Sequence, residues 1–172
     1  YYNALIDTKK CVDCGLCTKV CPRENDNDMS KPKWWYQGWA DSEIREYASS
    51  GGAASAIIRT FIKNGGYVAS CLFNSGKFVF EVTNEMAVAR KFAGSKYVKS
   101  NPEKIYGKIQ SLLRANQKVL FIGLPCQVAA VNQFIKDKTN LVTADLICHG
   151  TPSPYLLKKC LQEYGHDINT LT

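Results

Sequence analysis

Val119-Leu120-Phe121-Ile122-Gly123-Leu124-Pro125-Cys126-Gln127 reads as a strand that ends in a tight turn and hands the chain to a helix. Four consecutive apolar residues without polar alternation suit a strand covered on both faces, as parallel sheets require. Gln127 to Lys136 continues with apolar residues at helical spacing. The same grammar repeats once. Leu141 to Ile147 is the second strand, Cys148-His149-Gly150-Thr151 the turn, and Pro152 to about Tyr164 the helix, with proline at a natural first-turn position. Two such units predict an α/β fold with a mixed, largely parallel sheet flanked by helices.

Upstream, Asp41-Ser42-Glu43 can start a short helix, and Ser50-Gly51-Gly52 opens an apolar helical stretch with Ala54, Ile57, Ile58, Phe61 and Ile62 on one face. Gly65-Gly66 stops it. Tyr67 to Phe73 and Lys77 to Thr83 read as two strands joined through Asn74-Ser75-Gly76, a hairpin-compatible turn. A helix from Pro102 to about Asn116 follows the loop around Gly94-Ser95-Lys96-Tyr97.

The front of the chain has a different texture. Residues 1–30 are polar and cysteine-dense and end in the turn-favouring run Pro22-Arg23-Glu24-Asn25-Asp26-Asn27-Asp28. We read 1–30 as a partial ferredoxin-type 4Fe–4S module, 31–40 as an aromatic linker, and 41–172 as the α/β domain. With 172 residues and 45% hydrophobic content, one core plus such an appendage is what the chain can bury.

Four of the eight cysteines crowd at Cys11, Cys14, Cys17 and Cys21, while Cys71, Cys126, Cys148 and Cys160 are scattered, which no disulfide framework resembles. No apolar run reaches membrane-spanning length, and Tyr1 to Lys10 has neither the basic start nor the apolar stretch of a secretory signal. The expectation is a cytoplasmic protein without a membrane span, in a reducing compartment. The formal charge of +7 is read as solvated lysine faces. Nucleic acid is set aside, because the lysines stand singly or in pairs and Trp34, Trp35, Tyr36 and Trp39 lack a repeating basic pattern. These aromatics are expected to anchor the linker on the core.

Cys11-x2-Cys14-x2-Cys17-x3-Cys21-Pro22 is the bacterial ferredoxin spacing, in which thiolates two residues apart wrap the backbone around a 4Fe–4S cubane. Gly15 allows the close backbone approach of such a loop, whose amides can donate to the sulfides. Four thiolates also suit tetrahedral zinc, but zinc sites normally draw two separated cysteine pairs. In two-cluster ferredoxins the cysteine before proline serves the other cluster. This chain has no second copy of the motif, so either the fourth ligation is irregular or the missing half lies outside the sequence, and the second is the expectation.

Cys126 and Cys148 occupy equivalent places in the two strand–helix units. Right-handed connections would bring both to the carboxyl ends of neighbouring strands, where open α/β sheets bind ligands. A helix N-terminus favours a thiolate at Cys126. Adjacent residues on a strand end point apart, which argues against a Cys148–His149 pair, whereas Cys126 with His149 across the crevice stays open as a weak catalytic pair. Cys71 and Cys160 are read as core, and His166 is assigned nothing. Ser49-Ser50-Gly51-Gly52 before a helix offers backbone amides to an anion, and Gly94-Ser95-Lys96-Tyr97 a turn, a hydroxyl, a cation and a ring. By composition alone both are ordinary loops.

Together, Ser-Ser-Gly-Gly at 49–52, Gly-Ser-Lys-Tyr-Val at 94–98, Gly-Leu-Pro-Cys-Gln at 123–127 and Asp-Leu-Ile-Cys-His-Gly-Thr-Pro-Ser-Pro at 145–154 resemble the coenzyme F-420 hydrogenase/dehydrogenase beta-subunit family, here with a fused ferredoxin motif. The resemblance implies an iron–sulfur flavoprotein oxidoreductase that binds FAD and passes electrons between 4Fe–4S clusters and a two-electron substrate, coenzyme F-420 or another small-molecule hydride acceptor or donor. It also implies a redox partner protein or subunit. Ser50, Gly51, Gly52, Gly94, Ser95, Lys96, Tyr97, Gln127, His149 and Gly150 would then line the cofactor. Cys126 and Cys148 would be two ligands of a flavin-proximal cluster, joining Cys11, Cys14, Cys17 and Cys21 as metal ligands. In the family the other two proximal ligands come from a later cysteine pair, and none follows Cys160. The opening Tyr1 to Lys10 looks like the linker between two ferredoxin motifs. Both departures imply a fragment truncated at each end, expected alone to carry incomplete clusters, a substitute metal or none. Two rival readings are an electron-transfer module whose α/β part only docks a partner, and a thiol enzyme with Cys126 as nucleophile and His149 as base.

Overall fold

The structure, a computed structural model, describes residues 5–25 and 31–171. Tyr1 to Ala4 and the Asp26-Asn27-Asp28 end of the turn run lie outside the described residues. A four-residue helix α1 (Leu16–Lys19) sits inside the cysteine cluster. After the linker come α2 (Ser42–Arg45), α3 (Ala53–Lys63), β1 (Tyr67–Asn74), β2 (Lys77–Thr83) and α4 (Met86–Ala89), which tightens into a 3-10 turn at Arg90–Phe92. Then follow α5 (Ile105–Arg114), β3 (Val119–Gly123), α6 (Pro125–Phe134), β4 (Leu141–Asp145), α7 (Pro154–Glu163) and a 3-10 turn at Ile168–Thr170.

The strands form one sheet in the order β2-β1-β3-β4. β1 pairs with β2 antiparallel and with β3 parallel, and β3 pairs with β4 parallel, so the sheet is mixed and largely parallel as expected. The hairpin register closes on Asn74 and Lys77, leaving Ser75 (φ 46) and Gly76 (φ 77) as a two-residue loop. Two positive φ values match the turn whose twist suits paired strands.

Every residue of β3 is buried, which is why its sequence shows no alternation. Phe121 points to one face, among Ile105 and Ile109 of α5 and Val128 and Val131 of α6. Leu120 and Ile122 point to the other, among Ile58 of α3, Ala89 and Phe92. Phe121 stacks on Phe80 at 5.4 Å between ring centroids. A third, smaller cluster of Phe78, Val98 and Ile168 receives Leu157 and Leu161 of α7. β4 ends the sheet, and its Val142 is half exposed.

Several boundaries move for local reasons. α6 starts at Pro125, not Gln127, because proline fits a first helical turn that does not need its N–H. α7 starts at Pro154, not Pro152. Pro154 holds Ser153 extended (φ −67, ψ 143), and Ser153 Oγ accepts the Tyr155 N–H at 3.2 Å, an N-cap. β4 stops at Asp145, so Leu146 and Ile147 already belong to the following loop.

Two expectations about packing are corrected. Trp34, Trp35, Tyr36 and Trp39 do not anchor on the core; they are 76%, 85%, 91% and 73% exposed. The anchoring is done by main chain, where the Ala40 N–H donates to Gly51 O at 2.7 Å. Cys160 is exposed rather than core, because α7 packs through Leu157 and Leu161. Cys71 is half-buried, packed against two of the core clusters.

Candidate functional site

α3 is followed by the short Asn64–Gly66 turn and then β1, so its first turn lies toward the carboxyl end of the parallel strands. The first turn of α6 and the loop after β4 lie at that same end, where ligands bind in open α/β sheets. Two hydrogen bonds join the four sequence motifs in pairs here, and two more run from Lys99 and Ser100, just after the 94–98 motif, to the other pair. The Ser95 N–H donates to Ser49 Oγ. The Lys99 N–H donates to Pro152 O at 2.9 Å, and the Leu146 N–H to Gly123 O at 2.9 Å. Gln127 Nε2 donates to Ser100 Oγ at 3.0 Å. Residues far apart in the chain thus meet in one region.

Gly52 shows why the Ser-Ser-Gly-Gly motif is built as it is. It precedes α3 with φ 77, and a Cβ there would stand 3.1 Å from Ala40 Cβ and 3.2 Å from Ile44 Cγ2. Both the backbone region and the space call for glycine. α3 then begins with no side-chain cap, leaving first-turn N–H groups of the kind that receive anions. Gly94 and Ser95 are exposed beside Ser49, and Tyr97 is exposed as well. This cradle fits a flavin pyrophosphate in the chemistry of its donors.

Two nominated residues have other tasks. Lys96 donates from Nζ to the carbonyls of Lys91, Phe92 and Ala93 at 3.1, 2.7 and 2.6 Å, closing the end of the 3-10 turn. All three ammonium donors are engaged, so the cation expected to line the cofactor is a C-terminal cap. Burial pushes the Lys96 ammonium pKa down, with nearby Cys71 opposing the shift. Gln127 Oε1 accepts the Leu124 N–H at 2.9 Å. That is half a capping box, since Leu124 at the N-cap has no acceptor of its own.

Cys126 occupies the second position of α6, and Cys148 the third position after β4. Gly123 pairs with Asp145 in the β3–β4 register, so each cysteine stands three residues beyond a member of that pair. The Gly150 N–H donates to Cys148 Sγ at 3.3 Å, the kind of contact that supports a ligating thiolate. His149 is exposed, and among the described residues no hydrogen bond joins it to Cys126. Tyr106 is the neighbour that sequence reasoning missed. Half-buried between Phe121 and Phe134, its phenol is pushed up to about 12, first by burial and then by nearby Cys126. At helical spacing it reads as core, and no motif marks it.

In the N-terminal loop Asp13 (φ 50) and Gly15 (φ 67) turn the backbone between successive cysteines, and all four thiols are free. Nothing lies within 4 Å of a Cβ built on Gly15, so conformation rather than space calls for glycine there. Asn25 Nδ2 ties the loop's end by donating to the carbonyls of Thr18, Lys19 and Cys21. Among the described residues no three His, Cys, Asp or Glu side chains share a single-ion site. In a cubane each thiolate binds its own iron, so the donor set and the turned backbone fit a 4Fe–4S group.

An open groove of about 630 Å³ lies elsewhere, lined by Ala56, Ile57, Thr60, Phe61 and, beside the starts of β1 and β3, Gly66 and Lys118. No helix among the described residues is long and apolar enough to cross a membrane.

The chain joins a ferredoxin-type cysteine loop to a mixed α/β sheet. Residues 2–23 match the 4Fe-4S binding domain, and residues 116–172 match the C terminus of the coenzyme F-420 hydrogenase/dehydrogenase beta subunit. The chain is similar to that family through residues 116–172. It is 26% identical over 141 residues to an uncharacterized protein of Methanocaldococcus jannaschii, covering 76% of this chain and 39% of that one. Its fold is similar to a chain of the F-420-reducing nickel–iron hydrogenase complex from Methanosarcina barkeri, with a TM-score of 0.62 and 20% identity over 76% of this chain and 49% of that one. The chain therefore spans half or less of the length of these relatives.

Proposed function

We propose that this protein is an iron–sulfur flavoprotein that carries electrons between 4Fe–4S centres, FAD and a two-electron substrate of the coenzyme F-420 or another hydride-carrier class, docked to a redox partner protein. The observation that carries the reading is the set of four hydrogen bonds that gathers the motifs at 49–52, 94–98, 123–127 and 145–154 at one end of the sheet, two of them made by Lys99 and Ser100 just after the second motif. Cys11, Cys14 and Cys17 would hold three irons of the entry centre on residues 1–30, with Cys21 before Pro22 serving the other cluster of a two-cluster module, and Cys126 and Cys148 would contribute to a further centre on the 41–172 domain. Ser50, Gly51, Gly52, Gly94, Ser95 and Tyr97 would receive the flavin, with His149 and Gly150 on the opposite lip. A bound flavin would supply the conversion between one-electron and two-electron chemistry. The protein's part is to hold the phosphates on the first turn of α3 and to orient the ring.

The test is anaerobic reconstitution with ferrous iron, sulfide and FAD. The reading requires bound flavin and a cubane signal in the dithionite-reduced sample, lost in a Cys14→Ser variant. Wild-type protein that retains neither iron nor flavin overturns it.

A second reading, a flavin-free electron-transfer module, draws on one observation: the polar atoms of Lys96 and Gln127 are already engaged within the protein. Equilibrium dialysis against FAD separates the two.

A further inference from the structure

Trp34, Trp35, Tyr36 and Trp39 stand almost fully in water, although rings of this size are the groups that gain most from burial. Within residues 31–40, Ala40 alone makes a main-chain hydrogen bond to the rest of the protein among the described residues. The strip is thus fixed at one end, beside Gly51 before α3, and is otherwise uncovered. Apolar surface concentrated in this way marks an interaction site.

The far half of the same helix has the reverse shape. The open groove of about 630 Å³ runs along Ala56, Ile57, Thr60 and Phe61, with Lys118 in its lining. Ile57 is half exposed. Gly66 has no room for a Cβ beside the Phe61 ring, so this wall of the groove is set. None of the lining residues belongs to 31–40, so the strip does not fill the groove of its own chain.

We propose that the aromatic strip and the α3 groove form a reciprocal two-fold interface between two copies of this chain, the strip of each copy lying in the groove of the other. Placement on one helix favours a second copy as the occupant. The strip meets α3 before its first residue, and Thr60 lies eight residues beyond Gly52, about 12 Å along the axis. A two-fold axis across α3 near Ala56 reverses the helix, which carries each strip toward the partner's groove. The area is sufficient. Four such rings offer roughly 500–800 Å² per strip. Half of that, covered in two reciprocal contacts with equal groove surface, removes about 1,000–1,600 Å² from water, which reaches the range of specific interfaces. Lys118 adds a cation of the kind that packs on an indole face.

The chain's three tryptophans are Trp34, Trp35 and Trp39, so all tryptophan emission comes from the strip. The experiment is sedimentation velocity with emission spectra on the purified protein, from micromolar to sub-millimolar concentration. A monomer–dimer equilibrium is expected, with emission moving to the blue as dimer forms. Both copies carry a formal charge of +7, so association should strengthen as salt rises, whereas docking of an acidic partner would weaken. Thr60→Lys, on the exposed side of α3, and a Trp34→Ser, Trp35→Ser double variant should each weaken self-association by about tenfold or more. Circular dichroism should match wild type in both. A mixture of the two variants should dimerise better than either alone, because it restores one intact strip-in-groove contact. A protein that stays monomeric throughout overturns the proposal. So does a dimer that persists in Thr60→Lys, or one that Val142→Lys abolishes with the emission unchanged, which would place the contact on β4.

Discussion

The Ser95 backbone N–H donates to Ser49 Oγ across 46 residues of chain, joining the turn before α3 to the loop after the 3-10 turn. Neither loop is distinctive by composition; together they form a single wall beside the uncapped start of α3. Removing this tie should loosen the proposed flavin cradle. Ser49→Ala loses one hydrogen bond, worth roughly 0.5–1.5 kcal/mol. Equilibrium dialysis should therefore show the Kd for FAD rising by about twofold to thirteenfold, and an unchanged Kd would remove Ser49 from the site.

Gly52→Ala tests the other half of that wall. The substitution places a side chain at φ 77 and within 3.1 Å of Ala40 Cβ, so it strains backbone and packing at once. A loss of more than about 1 kcal/mol in urea unfolding is expected. Gly107→Ala, in open space on α5, should be neutral or stabilising and serves as the control.

Phe121 is fully buried and touches both Phe80 and Tyr106. Phe121→Ala should cost about 3–5 kcal/mol, through lost transfer energy and the cavity left behind. Chemical denaturation followed by circular dichroism reads this directly. A loss below about 1 kcal/mol would mean that the α5 and α6 layer does not depend on this ring.

Burial pushes the Cys71 thiol up, while the Lys96 ammonium and the Ser100 hydroxyl oppose the shift only in part. Folding therefore favours the protonated thiol. The unfolded chain releases its proton first, near the ordinary thiol value of about 8.5. The contribution to stability is full below that value and fades as pH rises toward the higher folded pKa. Peptide-resolved alkylation should find Cys71 reacting well after exposed Cys160 as pH is raised. Equal rates at the two thiols would contradict this assignment.

The architecture was legible where the pattern is strong. An uninterrupted Val119 to Ile122 run and its repeat after Leu141 announced two parallel strands, and Asn74-Ser75-Gly76 announced the hairpin. What the sequence could not reveal depends on which partner each polar side chain takes in the fold. Lys96 reads as a free cation until three carbonyls are seen around it. Gln127 reads as a ligand for an outside molecule until Ser100 is found beside it. The tryptophans suggested a buried anchor because hydrophobic character is visible in a sequence, whereas the exposed course of the linker that carries them is not. In the cysteine loop, spacing alone carried the message, since ligand geometry there is local to about ten residues of chain.

The terminal position of β4 has a practical consequence. Its outer row of peptide groups meets no strand among the described residues, and Val142 and Ile147 present oily side chains beside it. Concentrated samples are thus inclined to stitch molecule to molecule along this seam. Colloidal behaviour would be governed there, and a lysine in place of Val142 would be the simplest remedy.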